Sequence, residues 1–268
     1  MARRTSFCAR RRSRRRACGG PGRGRPSLAA RCGCAMRHDN QPDRTGPDWT
    51  GPEWKGASMN TTSMTLYYSP GACSLAPHIL LEETGADYRL VEVSVAKGQT
   101  QEDEFLKINP KGRVPVLAIG SRTLTEVPAI CWYIGAAGKG LIPADALLRA
   151  GVLEWFNWLS GTLHAVAFGG KWRPQRFVKD TALFGDVQAR ADDNLRDGFA
   201  YIEARMVERQ WAVGDEYSVV DPYLFVFYNW ARKIGVDVAQ AYPAWHAHAR
   251  RIAARDAVRR ACDREGLR

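Results

Sequence analysis

Hydrophobic and polar positions between residues 64 and 138 switch repeatedly between the spacing of a β-strand and that of an α-helix. Residues 65–68 form a short β-branched and aromatic run, and apolar positions then recur at helical spacing until Gly85. Residues 88–95 alternate valine with polar side chains, which is typical of a half-buried strand. This first part of the chain therefore predicts a strand, a helix and a second strand in succession.

The same switching continues to the end of this segment. A short helix is predicted over residues 103–108, and residues 114–119 form a second apolar run after the turn sequence Asn-Pro-Lys-Gly. The Gly-Ser pair at 120–121 predicts a hairpin, and a helix follows from Glu126 to about Gly138. The order β-α-β-α-β-β-α over residues 64–142 predicts an α/β domain with a mixed four-stranded sheet.

From Leu147 onward the strand-like alternation disappears. Helical spacing predicts one long amphipathic helix over residues 153–168, followed by helices over 187–207, 223–234 and 244–255. We therefore expect residues 148–268 to form an all-α C-terminal domain. Ser218 and Asp221 have the spacing of a capping box, with Asp in the place usually taken by Glu, and we assign them a structural role at a helix start.

The stretch before this pattern, residues 1–63, is rich in Arg, Gly and Pro and lacks a periodic apolar face, so we expect a disordered basic leader. It holds 14 basic and 4 acidic residues, which accounts for +10 of the net charge of +11. Three interpretations remain open: an over-extended gene start with the true start at Met59 or Met64, a targeting segment, or an arginine-rich RNA-binding tail. The rest of the chain is nearly neutral, so we expect no nucleic-acid partner for the folded part.

Cysteine usage indicates a reducing compartment. Four of the seven cysteines lie in the leader, and the folded part contains only Cys73, Cys131 and Cys262, which form no evident disulfide framework. No set of cysteines and histidines has the spacing of a metal site, and no apolar run approaches the length of a membrane span. We expect a cytoplasmic protein without a metal and without a membrane partner.

Cys73 lies between a Pro-Gly turn and the start of the first predicted helix, within the sequence MTLYYSPGACSLAPH. Backbone N–H groups and the positive end of the helix dipole favour a thiolate at such a position, so we expect a lowered pKa for this thiol. The alternative is a small buried cysteine that packs the corner between strand and helix. Tyr67, Tyr68 and Ser74 offer hydroxyl groups in the same stretch.

Two further features have the chemistry of a peptide-binding site. Pro115 lies within an apolar run, which predicts a strand start or edge and allows a cis peptide bond, while Val114 keeps an extended backbone that can pair with a peptide-like ligand. Glu126 comes at the end of the predicted hairpin and at the start of a helix. Its carboxylate can cap the helix, or it can bind a ligand ammonium while the helix amides hold the ligand carboxylate.

The segments YYSPGACSLAPHI, INPKGRVPVL, TEVPAI, WFNWLSGTLH and SVVDPYLF occur in an order and spacing that resemble the glutathione transferases, most closely the bacterial beta class. The resemblance covers about 205 residues, from Met64 to the C-terminus. It implies a thioredoxin-like N-terminal domain followed by a helical domain, usually as a homodimer. No single segment suffices, but the ordered set is specific.

The resemblance implies a role for several residues in binding glutathione. Cys73 falls on the active-site cysteine, Val114 on the residue whose backbone pairs with the cysteinyl part of glutathione, and Glu126 on the ligand of the γ-glutamyl end. Asn157 and His164 match glutathione-facing positions, and His164 is expected to supply a hydrogen bond or a charge near Cys73. A histidine satisfied at a domain interface is the alternative for His164.

Two positions depart from the family pattern. Val127 follows the glutamate where a small or polar residue is common, so it offers a backbone N–H group but no hydroxyl. The lysine expected after the second strand aligns with Gly98 and Gln99, which leaves Lys97 as a neighbouring candidate. Binding of the ligand carboxylate is therefore expected to be looser than in the family.

These observations predict a glutathione transferase that uses glutathione as co-substrate, with a role in detoxification and thiol-disulfide exchange at Cys73. A hydrophobic electrophile should bind between the domains, and Phe168, Trp172, Arg173 and Trp230 are candidates to line its pocket. The alternative is a non-catalytic protein of the same fold that only binds glutathione or another ligand, and Val127 is the feature that supports it.

Overall fold

The computed structural model describes residues 63–138 and 140–267. The predicted leader, residues 1–63, lies outside the described residues except for Ser63. No helix in the described part of the chain is both long enough and apolar enough to cross a membrane.

The N-terminal part has the predicted order of elements. Its strands and helices are β1 (Met64–Tyr68), α1 (Leu75–Thr84), β2 (Tyr88–Glu92), α2 (Asp103–Ile108), β3 (Val116–Ile119), β4 (Arg122–Thr125) and α3 (Val127–Ala137). The strands form one sheet in the order β2-β1-β3-β4. Strand β1 pairs in parallel with β2 and antiparallel with β3, which in turn pairs antiparallel with β4. The prediction of a mixed four-stranded sheet is therefore confirmed.

Local chemistry explains most boundaries in this part. Gly85 ends α1 because it adopts the left-handed region with φ of 63°, which a residue without a Cβ reaches at no steric cost. Pro115 directly precedes β3 and follows a cis peptide bond, as the position of a proline at a strand start predicts. Strand β2 ends at Glu92 and is shorter than the predicted strand over 88–95, because the chain leaves the sheet and residues 95–98 form a turn before the next helix.

The C-terminal part is helical, and none of its described residues lies in a strand. Its elements are α4 (Ala146–Asn157), a π-helical segment (Trp158–Phe168), α5 (Gly169–Trp172), α6 (Phe184–Met206), α7 (Asp221–Lys233), α8 (Val238–Ala241), α9 (Pro243–Ala253) and α10 (Asp256–Arg264). Helix α4, the π-helical segment and α5 follow one another without a break, because the residues at both junctions keep helical dihedral angles. The predicted long helix over 153–168 is thus the middle of a longer one.

Two helices of this part were not predicted. Helix α8 is a single turn, whereas α10 is a full amphipathic helix that packs against α1 of the N-terminal part. The buried residues of α10 are Ala257, Val258 and Ala261, whose helical spacing is present in the sequence but is carried by small side chains. The core continues from the sheet and α1 into α7 without interruption.

Only one half of the predicted capping box is present: Asp221, the first residue of α7, binds back to Ser218, but no side chain caps the first turn of the helix. The Asp221 carboxylate accepts hydrogen bonds from the backbone N–H of Ser218 at 2.7 Å and from its hydroxyl at 3.0 Å. The same buried carboxylate also accepts from the backbone N–H of Ala212 and contacts Nε2 of His248, each at 2.8–2.9 Å. Asp221 therefore fixes the segment before α7 as well as the helix start, in agreement with its structural assignment.

Candidate active site

The turn before α1 places Cys73 at the entrance of that helix. Gly71 adopts φ of 67°, and the backbone N–H of Ala72 donates to the carbonyl of Ser69 at 3.0 Å, which closes the turn. The hydroxyl of Ser74 accepts from the backbone N–H of Ser69 at 3.2 Å. Only 7% of Cys73 is exposed, so the turn presents the thiol to the interior of the site and not to bulk solvent.

The Cys73 thiol is protonated at neutral pH. Burial raises the pKa of Cys73 to about 12, although the backbone N–H groups of Cys73 and Ser74 and the positive charge of Arg173 act in the opposite direction. Its Sγ donates a hydrogen bond to the carbonyl oxygen of Val114 at 3.7 Å, and this bond requires the proton. The predicted lowering of the pKa by the helix start is therefore wrong, because desolvation outweighs the helix amides.

Val114 supplies a backbone edge beside this thiol. Its carbonyl faces Cys73, and no hydrogen bond within the described residues uses its N–H group. The side-chain amide of Asn109 donates to the carbonyl of Arg113 at 2.6 Å, which holds the loop that leads to Val114. The backbone here is thus fixed in place while its donor stays available to a ligand, as the prediction for Val114 requires.

Glu126 precedes α3 in a backbone conformation that is rare outside glycine, with φ of 72°. Its side chain makes no hydrogen bond to the start of α3, so the alternative role as a helix cap is wrong. Instead, Nζ of Lys111 contacts Oε1 of Glu126 at 2.5 Å and Oγ1 of Thr125 at 2.7 Å. Lys111 is a charged neighbour of the site that sequence reasoning missed, although it lies in the quoted segment INPKGRVPVL.

Val127 begins α3, where the first backbone N–H groups of a helix have no intrahelical acceptor. Its side chain is buried in the core, so it can serve a ligand only through its backbone. Asn157 is exposed at the end of α4, and Lys97 is exposed on the turn after β2. No side-chain hydrogen bond or ion pair in the described part joins Asn157 or Lys97 to another candidate residue, so the assignment of these two residues to the site stays a prediction.

His164 lies in the π-helical segment and is neutral at neutral pH. Burial lowers the pKa of His164 to about 4, and the positive charges of Arg173, Arg113 and Arg176 act in the same direction. Its Nδ1 is 3.3 Å from the hydroxyl of Tyr223. His164 can therefore take part in a hydrogen bond, but the predicted positive charge near Cys73 is wrong.

Tyr223 was assigned only to helix α7 by the sequence, yet it joins this site. The residue is buried, and burial followed by the nearby Cys73 raises the pKa of its hydroxyl well above the ordinary value. Tyr223 is one turn before Phe227 on α7, and the rings of these two residues lie 4.8 Å apart. Tyr223 therefore lies near both His164 and the thiol. The sequence signal for this position was its helical spacing from Phe227, which places both side chains on one face of α7.

An aromatic wall lies beside His164, formed by Phe168, Trp172 and Trp230. The ring centroid of Trp230 is 5.1 Å from that of Phe168 and 5.1 Å from that of Trp172, and it is 4.9 Å from His164. Trp172 remains 39% exposed. The structure therefore brings together the three aromatic residues that were predicted to line a pocket, and Arg173 follows Trp172 directly in the chain.

A cavity of about 680 Å³ lies elsewhere, beside α7 and α9, and its lining includes Tyr228, Arg232 and His246. None of the candidate residues lines it, and it contains no cysteine. We therefore assign the candidate site to Cys73 and not to this cavity, because the thiol contacts the backbone of Val114, whose N–H group is available to a ligand. Within the described residues, no group of three or more His, Cys, Asp or Glu side chains is arranged to hold a metal ion.

Comparison with known proteins identifies the fold and the family. Residues 62–136 match the family model described as "Glutathione S-transferase, N-terminal domain", and residues 185–256 match "Glutathione S-transferase, C-terminal domain". The glutathione S-transferase GstA of Escherichia coli O157:H7 is 33% identical over 76% of this chain and 100% of its own length.

Solved structures agree with the sequence comparison. A glutathione transferase homologue from Sulfitobacter with bound glutathione is 34% identical, with a TM-score of 0.72 over 76% of this chain and 99% of that one. The bacterial beta class glutathione S-transferase of Sphingomonas chungbukensis is 36% identical, with a TM-score of 0.67 over 76% and 100% of the two chains. Together with the sheet and the helical part described above, these similarities show that the chain belongs to the glutathione S-transferase family.

Proposed function

We propose that this protein is a glutathione transferase that binds glutathione at Val114 and Glu126 and transfers it to an electrophile. The observation that carries the proposal is the position of Val114, whose backbone N–H group has no partner within the described residues and whose carbonyl contacts the Cys73 thiol. A peptide ligand that pairs with this edge as an added strand brings its own sulfur beside Cys73. Glu126 is a carboxylate suited to the ammonium of the γ-glutamyl end.

The raised pKa of Cys73 indicates which of the two sulfurs, that of Cys73 or that of glutathione, carries the proton. Two sulfurs side by side favour one shared proton over two thiolates, because like charges repel. Since burial raises the pKa of Cys73 to about 12, Cys73 keeps that proton and the glutathione sulfur is the thiolate. The Cys73 S–H group then donates a hydrogen bond to the glutathione thiolate in place of the Val114 carbonyl.

Conjugation follows from this arrangement. The glutathione thiolate attacks the electrophilic carbon of an aryl halide, a carbon–sulfur bond forms, and the halide leaves with the electron pair of the broken bond. The proton of the glutathione thiol passes to solvent. His164 contributes as a neutral hydrogen-bonding group with Tyr223, and the exposed face of Trp172 offers a surface for the aromatic ring.

Turnover with glutathione and 1-chloro-2,4-dinitrobenzene tests the proposal, together with retention on a glutathione resin. We expect retention and a steady-state rate that depends on both substrates. Val114 acts through its backbone and has no informative side-chain variant, so Glu126→Ala serves as the site variant, and Glu216→Ala, an exposed acid in the turn before α7, is its control. Retention without turnover on aryl halides, epoxides or mixed disulfides would leave the non-catalytic binding protein as the function.

We also propose that the protein is a cytoplasmic homodimer. Leu147 and Leu153 on α4 are 79% and 49% exposed, and an isologous interface would cover such apolar side chains. Cys73, Cys131 and Cys262 are free thiols, which suits a reducing compartment. Light scattering at micromolar concentration should give twice the chain mass, and a monomeric mass across that range would exclude the dimer.

A further inference from the structure

Three arginines from two loops converge on the candidate site. Arg113 directly precedes Val114, while Arg173 and Arg176 follow the helix that carries His164 and the exposed Trp172. Hydrogen bonds fix both loops: Asn109 holds the carbonyl of Arg113 at 2.6 Å, and the backbone N–H of Arg176 donates to the carbonyl of Arg173 at 3.0 Å. The backbone of all three arginines is therefore held in place, and Arg173 and Arg176 lie at the two ends of one 3-10 turn directly after Trp172.

The three charges act on the same groups. Burial is the largest cause of the lowered pKa of His164, and the charges of all three arginines lower it further. Burial also lowers the pKa of Arg176, and the charges of Arg173 and Arg113 act in the same direction. Arg173 further influences Cys73. The charged group of opposite sign that acts on both His164 and Cys73 is Glu126, and its carboxylate is already paired with Lys111. The site therefore has an excess of positive charge.

None of these three guanidinium groups forms a hydrogen bond or an ion pair within the described residues. Three arginines in or directly before α10 are paired by contrast: Arg255 pairs with Glu83 at 2.5 Å, and Arg260 and Arg264 pair with Glu82 at 2.8 and 2.7 Å. Unpaired like charges held together repel one another, and this cost is removed when an anion binds between them. A guanidinium group also matches a carboxylate in a planar, bidentate geometry.

We propose that the electrophile taken by this site is an aromatic compound that carries an anionic group, a carboxylate or a sulfonate. Its ring lies on the exposed face of Trp172, beside Trp230, and its anionic group is held by Arg173 and Arg176. Arg113 adds to the positive potential from the side of Val114. This inference rests on the proposed transferase function and specifies its substrate class.

The consequence for the reaction is selectivity between acids and their neutral esters. For 4-chloro-3,5-dinitrobenzoate, the glutathione thiolate attacks the carbon that bears chlorine, the carbon–sulfur bond forms, and chloride leaves with the electron pair. The carboxylate takes no part in the bond changes. It increases binding of both the substrate and the transition state. We therefore expect kcat/KM, divided by the rate constant of the uncatalysed reaction with glutathione, to be about tenfold higher for the acid than for its methyl ester, as for a hydrogen bond to a charged group.

Binding of unreactive analogues tests the inference separately from turnover. The full chain is titrated calorimetrically with 3,5-dinitrobenzoate and with its methyl ester, each with and without saturating S-methylglutathione. We expect the acid to bind about tenfold tighter than the ester. Arg173→Gln and Arg176→Gln should each bring the ratio of the two affinities toward one. Arg209→Gln, which removes the same charge from the exposed turn after α6, should leave the ratio as in the parent protein. Added salt should reduce the ratio.

The possible results test the anionic substrate and the transferase function separately. A ratio near one in the parent protein, or a ratio that Arg173→Gln and Arg176→Gln leave unchanged, overturns the anionic substrate. If the two variants weaken S-methylglutathione and the ratio stays high, the arginines bind a carboxylate of glutathione, and the inference is also overturned. If S-methylglutathione does not bind at all, the proposed transferase function is refuted. The ratio of acid to ester affinity measured in the absence of S-methylglutathione still tests the anion site in that case.

Discussion

The indole Nε1–H of Trp230 donates a hydrogen bond of 2.8 Å to the carbonyl oxygen of Gly71. Trp230 lies on α7 in the helical part, and Gly71 lies in the turn two residues before Cys73. The N–H of the same glycine donates to Oε2 of Glu265 at 3.0 Å. Both backbone polar groups of Gly71 are therefore held by the C-terminal part of the chain, which fixes the turn that positions the thiol.

Replacement of Trp230 by Phe keeps an aromatic ring but removes the donor to Gly71. This hydrogen bond is partly buried, so we expect its loss to lower the free energy of unfolding in urea by about 0.5–1.5 kcal/mol. The freed turn should also open more often, so a thiol reagent should modify Cys73 faster than in the parent protein, as followed by peptide mass spectrometry. Trp172→Phe is the matched control, because the partly exposed Trp172 donates no hydrogen bond to a described residue. Equal labelling rates in both variants would contradict this role of Trp230.

Replacement of Glu265 by Ala should be more destabilising. The buried Glu265 carboxylate contacts Nδ1 of His78 at 2.8 Å as well as the N–H of Gly71, so its removal leaves the buried His78 nitrogen and the partly buried Gly71 N–H without their partner. A buried polar group left without its partner costs about 1–3 kcal/mol, and the lost bond to Gly71 adds to this cost. The free energy of unfolding of the exposed-site variant Glu216→Ala should stay close to that of the parent protein. A similar small effect in both variants would show that Glu265 does not hold the turn.

The elements predicted from the sequence are those with local causes. Gly85, Pro115 and the pair Ser218 and Asp221 act on residues within a few positions, so their patterns could be recognised without the fold. The site was only partly predictable for the opposite reason. Glu265 meets Gly71 across 194 positions of sequence, and the raised pKa of Cys73 comes from burial by distant elements. A helix start in the sequence indicates a lowered pKa, but only the packed structure shows that desolvation is larger.

His164 should make the protein less stable in mild acid. The pKa of His164 is lowered to about 4 in the folded state from an ordinary value of 6.5, so the unfolded chain takes up the proton first as the pH falls. The stability contributed by neutral His164 is therefore complete above about pH 6.5 and is lost between about pH 6.5 and 4, with a total near 3 kcal/mol. His164→Gln cannot titrate and should flatten this part of the profile. An identical profile in the variant would exclude His164 as the cause.

Glu126→Gln should weaken glutathione binding through its γ-glutamyl end. The variant removes the charge that is proposed to bind the ligand ammonium, so we expect the KM for glutathione to rise about tenfold with a smaller change in kcat. A glutathione analogue without the amino group serves as the control, because the parent protein and the variant should bind it equally well. If the variant loses the same affinity for both ligands, Glu126 acts on the fold of the site and not on the ammonium.

Cys73 should exchange with oxidised glutathione slowly at neutral pH. Burial raises the pKa of Cys73 to about 12, and only the thiolate attacks a disulfide, so the rate should climb with pH without levelling below about pH 10. In each event Cys73 forms a mixed disulfide with one half of the ligand, and the other half leaves as reduced glutathione. Intact-protein mass spectrometry should detect a single glutathionyl group, which peptide mapping should place at Cys73.

The variant Cys73→Ala separates this exchange from conjugation. It should lose thiol-disulfide exchange entirely, because Cys131 is buried and burial raises its pKa as well. Conjugation should fall by about ten- to a hundredfold but persist, since the variant loses the S–H donor to the glutathione thiolate while Val114 and Glu126 still hold the ligand. Cys131→Ala is the matched control and should retain both activities. Exchange that survives in Cys73→Ala, or modification mapped to Cys131 or Cys262, would show that another thiol is the redox centre.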